Sequence, residues 1–82
     1  MNWHNFFNDL EKWMQASNTM LQREGLSSDK YWQWMIGTLN VIEQRYNHNP
    51  LVVKFLATIV DYQEKQYNKL HEEDKNDGPY RR

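Results

Sequence analysis

Residues 28–46, SDKYWQWMIGTLNVIEQRY, and the break NHNP at 47–50 decide the fold. Trp32, Met35, Leu39, Ile42 and Tyr46 recur at spacings of three and four, which lines one face of a helix with apolar side chains. Asn49 then offers a cap, and Pro50 suits a first helical position because the N–H it lacks has no helical partner there. One helix that stops at Tyr46 and another that starts at Pro50 make a tight antiparallel hairpin.

The same spacing continues in both directions. Upstream it runs through Trp3, Phe6, Leu10, Trp13 and Met20; downstream through Val52, Phe55, Leu56, Ile59, Tyr67 and Leu70. Each stretch has one apolar face and must bury it against another helix. The expectation is an all-α antiparallel three-helix bundle with helices at about 3–22, 28–46 and 50–71. Asn2 or Asn5 caps the first helix, and Gly25 takes the left-handed position after it. With Ser27 as the cap of the second helix, Leu26 and Tyr31 stand at the positions of a hydrophobic staple. Gln63, Glu64, Lys65, Gln66 and Lys69 read as the exposed helix formers of the third. Residues 1–71 form a single domain, and the charged, Gly-Pro-containing segment 72–82 reads as a disordered tail.

A chain of 82 residues is close to the size at which one core only just offsets the entropy of ordering. Hydrophobic residues make up 39% and aromatic residues 15%, so the apolar area sits in a few large side chains. Trp34, Met14 and Tyr62 lie off the main seams, and self-association is the expected way to cover them. Gly37, inside the second helix, costs about 1 kcal/mol relative to Ala and reads either as an accident or as a point of close approach by another helix. The expected contact is a homodimer through the second helix, with Met14, Leu21, Tyr31, Trp34, Gly37 and Val41 as the candidate interaction surface. The cluster Tyr31, Trp32, Trp34 reads first as a broad apolar face and second as a protein-binding hot spot.

A net charge of −1 provides no field to attract a polyanion or an anionic membrane, so neither nucleic acid nor membrane is an expected partner. Cysteine is absent, which removes disulfides and thiolate chemistry and fits a reducing compartment. No stretch is apolar for long enough to cross a bilayer, and the chain reads as cytoplasmic. His4, His48 and His71 have no metal-ligand spacing between them, and Glu72, Glu73 and Asp74 beside His71 point in different directions on a helix. Asp9 with Glu11, and Asp61 with Glu64, read as solubilising charge, with Asp61 and Lys65 paired at helical spacing. Ser17, Ser27 and Ser28 have no neighbouring base, and there is no glycine-rich phosphate loop. No catalytic, cofactor-binding or metal residue is expected, nor a small-molecule substrate.

Tyr31 and Trp32 leading into Thr38 and Leu39, then Asn49, the run Leu51, Val52, Val53, Lys54, and finally Tyr67, Asn68, Lys69 together resemble the YvfG family. These are small helical proteins of Bacillus and relatives without an assigned biochemical role. The first helix and its loop depart from the family pattern. The resemblance implies a cytoplasmic, all-helical, dimeric Firmicute protein and supplies no active-site residue. The reading of function is a noncatalytic helical protein that binds another protein as a regulator or assembly factor. The alternative is a nucleic-acid-binding or transcription-associated helical module, which lacks the expected Lys and Arg cluster.

Overall fold

The computed structural model describes the backbone of residues 1–76 and the side chains of residues 1–70. Three helices follow in order, α1 (Trp3–Glu24), α2 (Asp29–Arg45) and α3 (Pro50–Asn76), and form an all-α three-helix bundle in which α2 packs on both neighbours. Their starts are written in the sequence. Asn2 Oδ1 accepts from the Asn5 N–H at 3.0 Å, and Asn49 Oδ1 accepts from the N–H groups of Leu51 and Val52, leaving Pro50 at the first helical position. At α2 the cap is Ser28, one residue later than the staple requires. Its hydroxyl accepts from the Lys30 N–H, and the Leu26–Tyr31 staple gives way to a Trp32 Nε1 bond to the Leu26 carbonyl at 2.6 Å.

The two turns are built differently. Gly25 has φ 86° and ψ 156°, a glycine conformation more extended than the expected left-handed helical one, and its N–H closes on the Leu21 carbonyl at 2.9 Å. After α2, Asn47 and His48 both take positive φ. His48 N–H bonds to Glu43 O and Asn47 N–H to Gln44 O, the paired closure of a Schellman turn with asparagine standing where glycine is usual.

The core is formed by Phe6 and Trp13 of α1, Tyr31, Met35, Leu39 and Ile42 of α2, and Val52 and Leu56 of α3. Among the described residues no Cα of α1 comes within 8 Å of a Cα of α3. Rings bridge that gap at one end, where Phe55 lies 5.6 Å from both Phe6 and Phe7 and Phe6 meets Tyr46 edge-on at 5.5 Å. At the other end α3 outruns its partner. Its 27 residues span about 40 Å against about 25 Å for the 17 of α2. Leu70, read from its spacing as core, is therefore 45% exposed, beyond the reach of α2. The helix continues five residues past the expected end at 71. Residues 77–82 of the expected tail lie outside the described residues.

Candidate functional site

Buried polar chemistry converges at one point. Tyr31 Oη lies 2.8 Å from Ser17 Oγ and accepts from Gln63 Nε2 at 3.0 Å, so one side chain from each helix meets at a single hydroxyl. Tyr31 is 0% exposed, Ser17 3% and Gln63 9%. Tyr31 therefore does not belong to the interaction surface, and Gln63 is not an exposed helix former. The phenol reaches across the core, where its hydroxyl finds the partners a buried Tyr requires. Gln63 was traceable in principle, since it stands seven residues after Leu56 and seven before Leu70 on the apolar face. Its polar identity conceals that position. Ser17 lies likewise between Trp13 and Met20.

A second polar contact joins α1 to α2. Trp13 Nε1 donates to Thr38 Oγ1 at 2.7 Å, and Thr38 in turn donates to the Trp34 carbonyl at 2.8 Å. The Trp13 and Trp34 rings stack at 5.4 Å with 19° between their planes. Trp34 is thus half-buried, packed against the core rather than free on the surface. Of the two readings of Gly37, close approach is not seen among the described residues, because a Cβ placed there would meet nothing within 4 Å.

A third contact ties the start of α1 to the end of α2. Asp9 Oδ2 accepts from Tyr46 Oη at 2.5 Å and from Arg45 Nη1 at 3.0 Å. The Tyr46 hydrogen bond holds the Asp9 carboxyl below its usual 3.8, against the opposing effect of burial and with help from Arg45. Burial first, and the Asp9 carboxylate second, push the Tyr46 phenol above 10.0. A neutral phenol donating to a charged carboxylate is a stable arrangement that holds its proton, the opposite of what a general acid poised near neutrality needs. Among the described residues no three His, Cys, Asp or Glu side chains come together as metal ligands. His71 and its acidic neighbours lie outside the described side chains.

The remaining members of the candidate surface fall on two different faces. Gly37 and Val41 lie on the outer side of α2, together with Gln33, Ile36, Asn40 and Gln44, all exposed. From Tyr31 through Ile42 the chain carries no charged residue, so this face is neutral along most of its length. Largely apolar grooves flank it on both sides, one running along Ile36, Val53 and Ala57 with Glu43 also lining it, the other along Trp34, Ala16 and Val41 with Asp9, Lys12 and Arg45 also lining it. Met14 and Leu21 lie instead in the cleft between α1 and α3, beside Tyr62. A single interface through α2 does not gather all six expected residues. Among the described residues no helix is long and apolar enough to cross a membrane. Comparison with known proteins finds no matching family model, no matching curated protein and no matching solved structure.

Proposed function

We propose that this is a noncatalytic, protein-binding helical protein whose first partner is a second copy of itself, docked through the outer face of α2. The observation that carries this reading is the exposed run Gln33, Ile36, Gly37, Asn40, Val41, Gln44, a helix face without charge and with an open glycine at its centre. Interfaces are depleted of charge at their centres, and a glycine lets a second helix approach closely. A strip about 25 Å long and 10 Å wide is smaller than the roughly 800 Å² each partner contributes to a standard interface. The dimer therefore also uses the flanking grooves, with Ile36 and Val41 as anchors. An antiparallel arrangement places Lys30 near Gln44 of the second copy instead of against its own counterpart. The resemblance to the YvfG family supports the same reading and a cytoplasmic bacterial setting, in which the dimer acts on a further protein partner.

Light scattering coupled to size-exclusion chromatography over a concentration series tests the dimer. The full chain is expected at twice its monomer mass. Gly37→Arg, a better helix former than glycine, is expected to elute as a monomer with undiminished helicity by circular dichroism. A wild-type chain that stays monomeric at high micromolar concentration overturns the proposal.

A further inference from the structure

Phe7, Met14 and Leu21 stand seven residues apart on α1, a second apolar row beside the one that enters the core. Residues at that spacing stay on one face of a helix, drifting only about 20° at each step. Phe7 is 46% exposed and Met14 48%. Across the gap α3 presents Tyr62 and Leu70, both exposed, and Leu26 lines the cleft with them. The Phe7 and Phe55 rings meet at 5.6 Å and close the groove at one end, from which it runs past Met14 and Tyr62 to Leu21 and Leu70. At 1.5 Å per residue the row on α1 is about 21 Å long, or roughly four helical turns.

Both walls are helices, whose backbone groups are paired along their own axes, so neither offers an edge to an extended segment. An occupant must therefore satisfy its own backbone, which a helix does and a strand does not. Apolar side chains that repeat every three and four residues then meet a wall with the same repeat, the geometry in which helices pack nearly parallel. Charge at the rim selects among such helices. On the outer edge of α3, Lys65 pairs with Asp61 at 3.3 Å, which leaves the exposed Lys54 and Lys69 as the net charge of that edge. On the outer edge of α1 the charged residue beside the row is Glu11. The balance at the rim is positive.

We propose that this groove receives an amphipathic helix of a partner protein, apolar at heptad spacing on one face and acidic beside it, which completes a four-helix bundle opposite α2. Its apolar side chains fill the cleft of about 550 Å³ over Met14, Leu21 and Tyr62, and its acidic flank reaches Lys54 and Lys69. The groove shares no residue with the outer face of α2, so its occupation does not depend on the dimer.

The test uses two synthetic peptides of three heptads, each with leucine at positions a and d, one with glutamate at e and g and the other with lysine there. Like charges keep each peptide from pairing with itself. They are titrated at low salt into the full-length chain, labelled at its methionine and leucine methyl groups and followed by NMR. The glutamate peptide is expected to give saturable shifts at Met14 and Leu21 and to bind at least about fivefold more tightly than the lysine peptide, an advantage that shrinks with added salt. Met14→Glu is expected to abolish binding with helicity intact, and Tyr62→Glu, at a position 60% exposed, to do the same should the first variant fail to fold. Gly37→Arg is expected to bind as the unaltered chain does, which separates failure of the α2 dimer from failure of the groove. Shifts that do not saturate, equal binding of the two peptides, binding that survives Met14→Glu, or binding lost in Gly37→Arg overturns the proposal. A fall in molar mass on Met14→Glu also overturns it, because a second copy then covers the groove.

Discussion

Tyr31→Phe removes one oxygen and leaves the ring in place, which makes it a direct measure of what the buried polar junction contributes. The hydroxyl it deletes sits 2.8 Å from Ser17 Oγ and 3.0 Å from Gln63 Nε2. Each buried group left without a partner costs about 1–3 kcal/mol. Some of that is recovered, since Gln63 can turn its amide toward the cleft and Ser17 can bond to a carbonyl in the preceding turn of its own helix. The expected net loss is about 2 kcal/mol, a large fraction of the roughly 5–15 kcal/mol that holds a small domain together. In a chain of this size it lowers Tm by about 8–16 °C. Urea titration at fixed low protein concentration, read by circular dichroism, is the assay, because association would otherwise add to apparent stability. The triple variant Ser17→Ala, Tyr31→Phe, Gln63→Leu leaves nothing polar behind and is expected to recover part of the loss. A Tyr31→Phe cost below about 0.5 kcal/mol refutes the claim that the three groups are mutually dependent.

The Asp9–Tyr46 contact predicts pH dependence with two limbs. Asp9, whose carboxyl is held low, contributes stability above pH 3.8 that is lost as pH falls through its folded value; Tyr46, whose phenol is raised, contributes stability below pH 10.0 that is lost as pH rises through its folded value. The urea midpoint against pH is expected to be flatter on both limbs in Tyr46→Phe, and superimposable profiles would contradict this. Gly37→Ala is expected to stabilise the monomer by about 1 kcal/mol in urea titration, because the added methyl meets nothing within 4 Å and alanine favours the helix. Asn47→Gly places glycine at φ 57°, where a Cβ is disfavoured, and a gain of about 0.5–1 kcal/mol in the same assay is expected.

Helix ends and the hairpin were legible because their causes are local. Asn49 accepts from N–H groups two and three residues ahead, and Pro50 fits for a reason contained in its own ring. The apolar seams were legible for a related reason, since helical periodicity fixes which residues share a face. The polar junction was not. Ser17 and Tyr31 are 14 residues apart and Tyr31 and Gln63 are 32 apart, and no local rule says that three polar atoms at those separations will meet in one core. Tyr31 read as a staple and interface residue and Gln63 as a surface one, because a polar group taken alone gives no sign of the partners that let it be buried. Trp34 follows the first reading of its cluster, a broad apolar face, and not the interaction surface. It lies off the seam in its own helix, yet the breadth of Trp13 lets the two rings stack, so a large aromatic neighbour widened the buried face of α2 beyond what spacing alone marks.

The position of the junction has a mechanical logic. α2 approaches both neighbours closely, whereas among the described residues no Cα of α1 comes within 8 Å of one of α3 and aromatic rings span that gap at one end. Ring contacts resist separation and tolerate sliding, because an aromatic face has broadly similar contacts over a range of offsets. A hydrogen bond does not, since it weakens steeply within fractions of an ångström and with angle. Ser17 and Gln63 both bond to Tyr31 at the end opposite the Phe6–Phe55 rings, where the cleft opens. Tyr31 therefore fixes the register of α3 relative to α1 through the helix they share.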